Sequence, residues 1–122
     1  MPVTDSEQTK TTLIHHLEAF DQGDIGAVLS DYAEDAVLLT SKGVRRGHGQ
    51  IKEVFEWLMA NVFTPDSSFS MVQQLVEGDI AYIVWSAESQ RYHIPLATDT
   101  YVIRDGKIVT QTFAARLEPK IA

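Results

Sequence analysis

The stretch Ala97-Thr98-Asp99-Thr100-Tyr101-Val102-Ile103-Arg104-Asp105-Gly106-Lys107-Ile108-Val109-Thr110-Gln111-Thr112-Phe113 decides how this chain folds. An Asp-Gly pair lies between two runs rich in β-branched and aromatic residues, which predicts a β-hairpin. Residues two apart in a strand point the same way, so Asp99 shares a face with Tyr101 and Ile103. A carboxylate on an apolar face marks Asp99 as a candidate site residue, and that face is predicted to point inward.

Working back from the hairpin, Phe69 to Glu77, Ile80 to about His93, Leu96 to Arg104 and Lys107 to Glu118 read as four long strands. Gly78-Asp79, Pro95 and Asp105-Gly106 separate them, which predicts an antiparallel meander. Everything before Thr64-Pro65-Asp66-Ser67-Ser68 is mainly helical. Gln50 to Val62 carries Ile51, Val54, Phe55, Leu58 and Val62 at helical spacing, with Trp57 and Met59 on its flanks. Ser41 to Gly49 reads as a loop holding Arg45-Arg46, and Ala36 to Thr40 as a short strand. Ser6 to Phe20 is a helix with Leu13, Leu17 and Phe20 on one face, behind Thr4, Asp5 and Ser6 as capping residues. Gly23 ends it, and Asp24 caps a second helix from Ile25 to about Tyr32. Helices first and a sheet afterwards, without alternation, argue an α+β fold.

Composition narrows the function. At 122 residues the chain has the length of one domain, residues 1–122, able to bury a single core. Apolar residues make up 44% and charged residues 22%, a globular composition. There is no cysteine, so disulfides, thiolate catalysis and cysteine-based zinc sites are excluded. A net charge of −7 with scattered basic residues argues against nucleic acid and favours a small neutral or cationic ligand. No apolar run is long enough to span a bilayer, and the polar start Met1-Pro2-Val3-Thr4-Asp5-Ser6 lacks a signal-peptide pattern. The expectation is a cytoplasmic protein that engages no membrane. No histidine and carboxylate spacing predicts a metal site, and no phosphate-binding glycine loop or serine nucleophile motif occurs.

Gly23-Asp24-Ile25, Tyr32-Ala33-Glu34-Asp35-Ala36, Gly47 with Ile51 and Phe55, and Asp105-Gly106-Lys107-Ile108 together resemble the nuclear transport factor 2-like superfamily. That group includes ketosteroid isomerase and the SnoaL-like polyketide cyclases. The resemblance covers nearly the whole chain and implies a cystatin-like α+β cone, a curved antiparallel β-sheet wrapped around three N-terminal helices. It also implies a cofactor-free pocket for a small, largely apolar ligand. Outward positions of the last strands mix threonine, glutamine and arginine with valine and alanine, which suits either water or a second copy of the sheet, as in a homodimer through the sheet. Against ketosteroid isomerase, whose aspartate base and tyrosine-aspartate oxyanion hole are a known case of pKa tuning, the resemblance sets His16 at the tyrosine position. It sets Thr40 at the base and Asp99 at the oxyanion aspartate. Only Asp99 keeps its type, and the proton-abstracting carboxylate is missing, so the steroid isomerase reaction does not carry over.

His16 also falls on the helix face of Leu13 and Phe20, whereas His15 points away. A histidine facing a pocket beside an aspartate suits general acid-base work. The candidate set is therefore His16 and Asp99 for proton transfer, with His16 moving the proton. Asp99 either orients His16 or, held neutral by burial, stabilises an oxyanion. Tyr32, Thr40, Phe55, Trp85, Tyr101, Gln111 and Phe113 are the candidate ligand contacts, and Trp57 and Tyr82 are further candidates for an aromatic lining. The expected chemistry is isomerisation, cyclisation or dehydration next to a carbonyl. The rival reading is a noncatalytic small-molecule binding or dimerisation module whose polar groups only satisfy the cavity.

Overall fold

Three helices lie against the concave face of one six-stranded sheet in the computed structural model, which describes residues 5–121. The elements are α1 (Asp5–Asp21), α2 (Ile25–Ser30), β1 (Tyr32–Thr40), β2 (Gly43–Arg46), α3 (Gly47–Asn61), β3 (Ser68–Glu77), β4 (Ile80–Glu88), β5 (Tyr92–Arg104) and β6 (Lys107–Pro119). The predicted cap Thr4 lies outside the described residues, while Asp24 caps α2 as expected, its carboxylate accepting the Ala27 N–H at 3.0 Å.

The strand order is β2-β1-β6-β5-β4-β3, and the sheet curves without closing. The meander of β3 to β6 is antiparallel. An antiparallel sheet throughout was the expectation, but β1 pairs parallel with β6, Leu38 opposite Gln111 and Thr40 opposite Phe113. The meander returns its last strand to the middle of the sheet, running the same way as β1. The presumed loop from Ser41 to Gly49 contains β2, which pairs back on β1 through Val44 and Leu39. The second helix is shorter than expected, because Tyr32 already belongs to β1.

Pro95 does not separate two strands. It sits inside β5, where the register shifts between His93 and Leu96, so its missing N–H interrupts no ladder bond. The turn lies instead at Ser89-Gln90-Arg91. There the Ser89 hydroxyl accepts the backbone N–H groups of Arg91 and Tyr92 at 3.3 and 3.0 Å.

The first helix is tied to the hairpin tips. Thr9 donates to the Gly78 carbonyl at 2.8 Å and Thr12 to the Gly106 carbonyl at 3.2 Å. These bonds set the helix across the sheet, with Leu13, His16 and Ala19 buried beneath it. The core unites Leu13, Val28, Ile51 and Phe55 of the helices with Ile83, Ala97, Ile103 and Ile108 of the sheet. Full burial of one such aliphatic side chain contributes roughly 2 kcal/mol. The packing stops short of the far end of the cone.

Candidate functional site

Between α1, α3 and the concave face of the sheet lies a cavity of about 230 Å³. Its wall is mainly aromatic, formed by Phe20, Phe55, Phe63, Phe69, Trp85 and Phe113, with Leu38, Leu58 and Ile83 beside them. Asp21, Ser70 and Met71 are the exposed members of the lining, so the opening lies between the end of α1 and edge strand β3. The polar groups cluster deeper, where His16, Asp99, Tyr101 and Gln111 meet.

The inward reading of Asp99 agrees with its placement. The residue is 4% exposed, since its neighbours along the face, Tyr101 and Ile103, anchor that side of β5 in the core. Each oxygen of its carboxylate accepts one hydrogen bond, which leaves each a further lone pair. The Trp85 indole N–H donates to Oδ2 at 2.7 Å and the Gln111 amide to Oδ1 at 2.8 Å. The Tyr32 hydroxyl in turn donates to Gln111 Oε1, which fixes the amide orientation. Burial pushes the Asp99 carboxyl up to about 6, while the Trp85 and Gln111 donors pull it down. Two donors aimed at one carboxylate favour the ionised, accepting form. They do not favour the neutral donor expected of an oxyanion aspartate.

His16 is 2% exposed and packs edge-on against three rings, with centroids 5.4 Å from Tyr32, 6.2 Å from Phe55 and 5.4 Å from Tyr101. Burial holds its imidazole down at about 4, and the neighbouring His15 adds to that, so His16 is neutral near pH 7. The expected pairing with Asp99 does not form; the partners of Asp99 are Trp85 and Gln111. The carboxylate near His16 is Asp31, with Oδ2 3.8 Å from Nδ1. His15 does point outward, yet its Nδ1 also reaches Asp31, at 2.8 and 2.9 Å.

The other candidates divide. Phe55, Trp85, Tyr101, Gln111 and Phe113 line the cavity. Tyr32 stands behind it, holding Gln111 and the edge of His16. Burial raises the Tyr32 and Tyr101 phenols well above their ordinary range, so both remain protonated. No hydrogen bond holds the Tyr101 hydroxyl among the described residues. Thr40 is not part of the lining. Its hydroxyl accepts the Lys42 N–H at 3.1 Å and serves the β1–β2 turn. Trp57 is 47% exposed beneath the Lys42 ammonium, and Tyr82 lies on the convex face, so neither lines the cavity. His48 donates to the Tyr32 carbonyl at 2.8 Å, tying α3 to β1.

Sequence reasoning missed Phe63, Phe69 and Asp31. Phe69 faces inward opposite buried Ala87, in a strand whose burial does not alternate. Asp31 follows a six-residue helix as its C-cap, and nothing in its local sequence reveals its proximity to the histidines.

The chain belongs to the SnoaL-like domain family, whose model matches residues 13–111. No curated protein matches the sequence significantly. Solved structures share the fold at low identity. A Kribbella flavida DSM 17836 protein provisionally named a ketosteroid isomerase superposes with a TM-score of 0.79 at 13% identity, over 99% of this chain and 87% of its own. A SnoaL-like protein of unknown function from Burkholderia thailandensis E264 gives 0.73 at 19%, over 95% and 99%. TerC, crystallised with polyporic acid, gives 0.73 at 15%, over 89% and 92%. These likenesses bear out the cone-shaped α+β fold. Among the described residues, no helix is long and apolar enough to cross a membrane.

Proposed function

We propose that this protein binds a small, largely apolar carbonyl compound in the cavity and moves a proton on the carbon next to the carbonyl, without a cofactor. One observation carries the reading. Two titratable groups lining one cavity are displaced in opposite directions by burial, Asp99 up to about 6 and His16 down to about 4. Environments that separate such a pair divide acid-base roles between them.

In this order Asp99 is the stronger base of the two and takes the proton from carbon. His16 is neutral and acts as a second base, accepting a proton from the second substrate position and returning it, as Asp99 returns its own, so both groups end the cycle as they began. Tyr101, a buried phenol with a free hydroxyl, donates to the developing oxyanion. An apolar cavity of about 150 Å³ admits benzene. A volume near 230 Å³ therefore suits a molecule of one or two rings.

The second part of the proposal concerns a partner. The convex face of the sheet carries an exposed row in which Leu75, Tyr82, Thr100, Thr112 and Leu39 are neighbours across five strands, with Leu96 nearby. A second copy of the same face is the partner that such a row fits.

The test is exchange of α-protons for deuterium in cyclohexanone, 1-indanone and 2-tetralone, followed by NMR. The expected result is exchange faster than in buffer, reduced by roughly tenfold or more in Asp99→Asn and in Tyr101→Phe. Thermal stabilisation by a ketone with no exchange in wild type would instead establish the noncatalytic binding module.

A further inference from the structure

His16 Nδ1 is a buried side-chain nitrogen with no hydrogen-bond partner among the described residues. An unsatisfied buried polar atom in a packed core calls for a physical reason. Among the described residues, the carboxylate paired with it is Asp31, at 3.8 Å, about 1 Å beyond a hydrogen bond. Of the three rings around the imidazole, Tyr32 spends its hydroxyl on Gln111, Phe55 has none, and the Tyr101 hydroxyl makes no hydrogen bond to Nδ1.

We infer that Asp31 is the positioning residue of His16: it accepts the Nδ1 proton and so turns the unprotonated Nε2 toward the cavity. This rests on the reading above that His16 exchanges protons with the ligand. The alternative tautomer would aim the Nδ1 lone pair at a carboxylate, two acceptors facing one another in a buried site. The proton belongs on the nitrogen that faces the acceptor, and a partnered ring nitrogen determines which nitrogen remains basic.

Asp31 is itself firmly held. Its backbone N–H caps α2 by donating to the Leu29 and Val28 carbonyls, and its carbonyl accepts the Ile108 N–H at 2.7 Å. Lys107 closes the same corner on the Ser30 carbonyl at 2.6 Å. His15, 54% exposed at its side chain, grips the carboxylate from the solvent side. One carboxylate therefore stands between an outer and an inner histidine. When His16 gains a proton at Nε2 and becomes imidazolium, Asp31 is the anion already in place beside it.

Long-range nitrogen-proton NMR of ligand-free protein near pH 7 reads the tautomer directly. The expected result is a protonated Nδ1 and unprotonated Nε2 on His16 in wild type. In Asp31→Ala the proton moves to Nε2, whereas His15→Gln leaves it on Nδ1. A wild-type His16 protonated at Nε2 overturns the inference without any variant having to fold, and so does an Asp31→Ala protein that keeps the Nδ1 proton. Because no ligand is present, the absence of ketone exchange would remove the proposed reaction and leave this result intact.

Discussion

Asp99 and His16 oppose each other in their effect on stability. The folded Asp99 carboxyl lies at about 6 against an ordinary 3.8, so its contribution is greatest at low pH and is lost as pH rises through that window. The folded His16 imidazole lies at about 4 against 6.5, so its contribution is present above 6.5 and is lost as pH falls toward 4. Each is worth ~3 kcal/mol at about 1.4 kcal/mol per pH unit, and over the shared range the two cancel. Urea unfolding at a series of pH values should separate them. Relative to wild type, His16→Gln should lose stability as pH rises from about 4 to 6. Asp99→Asn should gain stability over the same range, and curves parallel to wild type in both variants would show that neither group is displaced. The inward direction of both residues was legible from periodicity. Their partners were not, because Trp85, Gln111 and Asp31 come from separate strands and a corner that only folding brings together.

Among the elements, the β5–β6 hairpin is the most local in origin. Asp105 and Gly106 both adopt left-handed backbone, at φ of 51° and 73°, which is what a two-residue turn between right-twisted strands requires. A methyl group at Gly106 would meet Gln8 and Thr12 only at 3.9 Å, so the cost of Gly106→Ala is conformational and not steric. Denaturant unfolding should show a loss of ~1 kcal/mol. Asp105→Gly, which relieves the same constraint at the preceding position, should be close to neutral. The elements that the sequence did not reveal are those whose boundaries depend on distant partners. β2 exists because β1 offers it a ladder, and Pro95 is tolerated within β5 because the bulge removes the need for its N–H. Local propensity marks a proline as a stop, and tertiary pairing overrides that mark where the ladder already skips a residue.

At the scale of the whole molecule, the convex face of the sheet is the surface left unexplained by one chain. Leu75 and Leu96 are each 52% exposed, and Tyr82 and Leu39 lie in the same stretch of sheet. The proposed dimer predicts that sedimentation finds two chains in wild type. Tyr82→Arg combined with Leu96→Glu should produce a folded monomer, and a wild type that sediments as one chain would exclude the dimer. By itself the sequence determined the order of the helices and of every strand but β2, the inward faces of α1 and β5, and the hairpin at Asp105-Gly106, since all of these follow from periodicities and turn chemistry within a few residues. Only the tertiary structure decided that Thr40 stays outside the cavity, that Asp99 is an occupied acceptor, and that Asp31 lies beside His16. Those facts depend on contacts between residues such as Asp99 and Gln111, or Tyr32 and Gln111, which no local pattern encodes because the chain between them is free to take many paths until the sheet curves and the core closes.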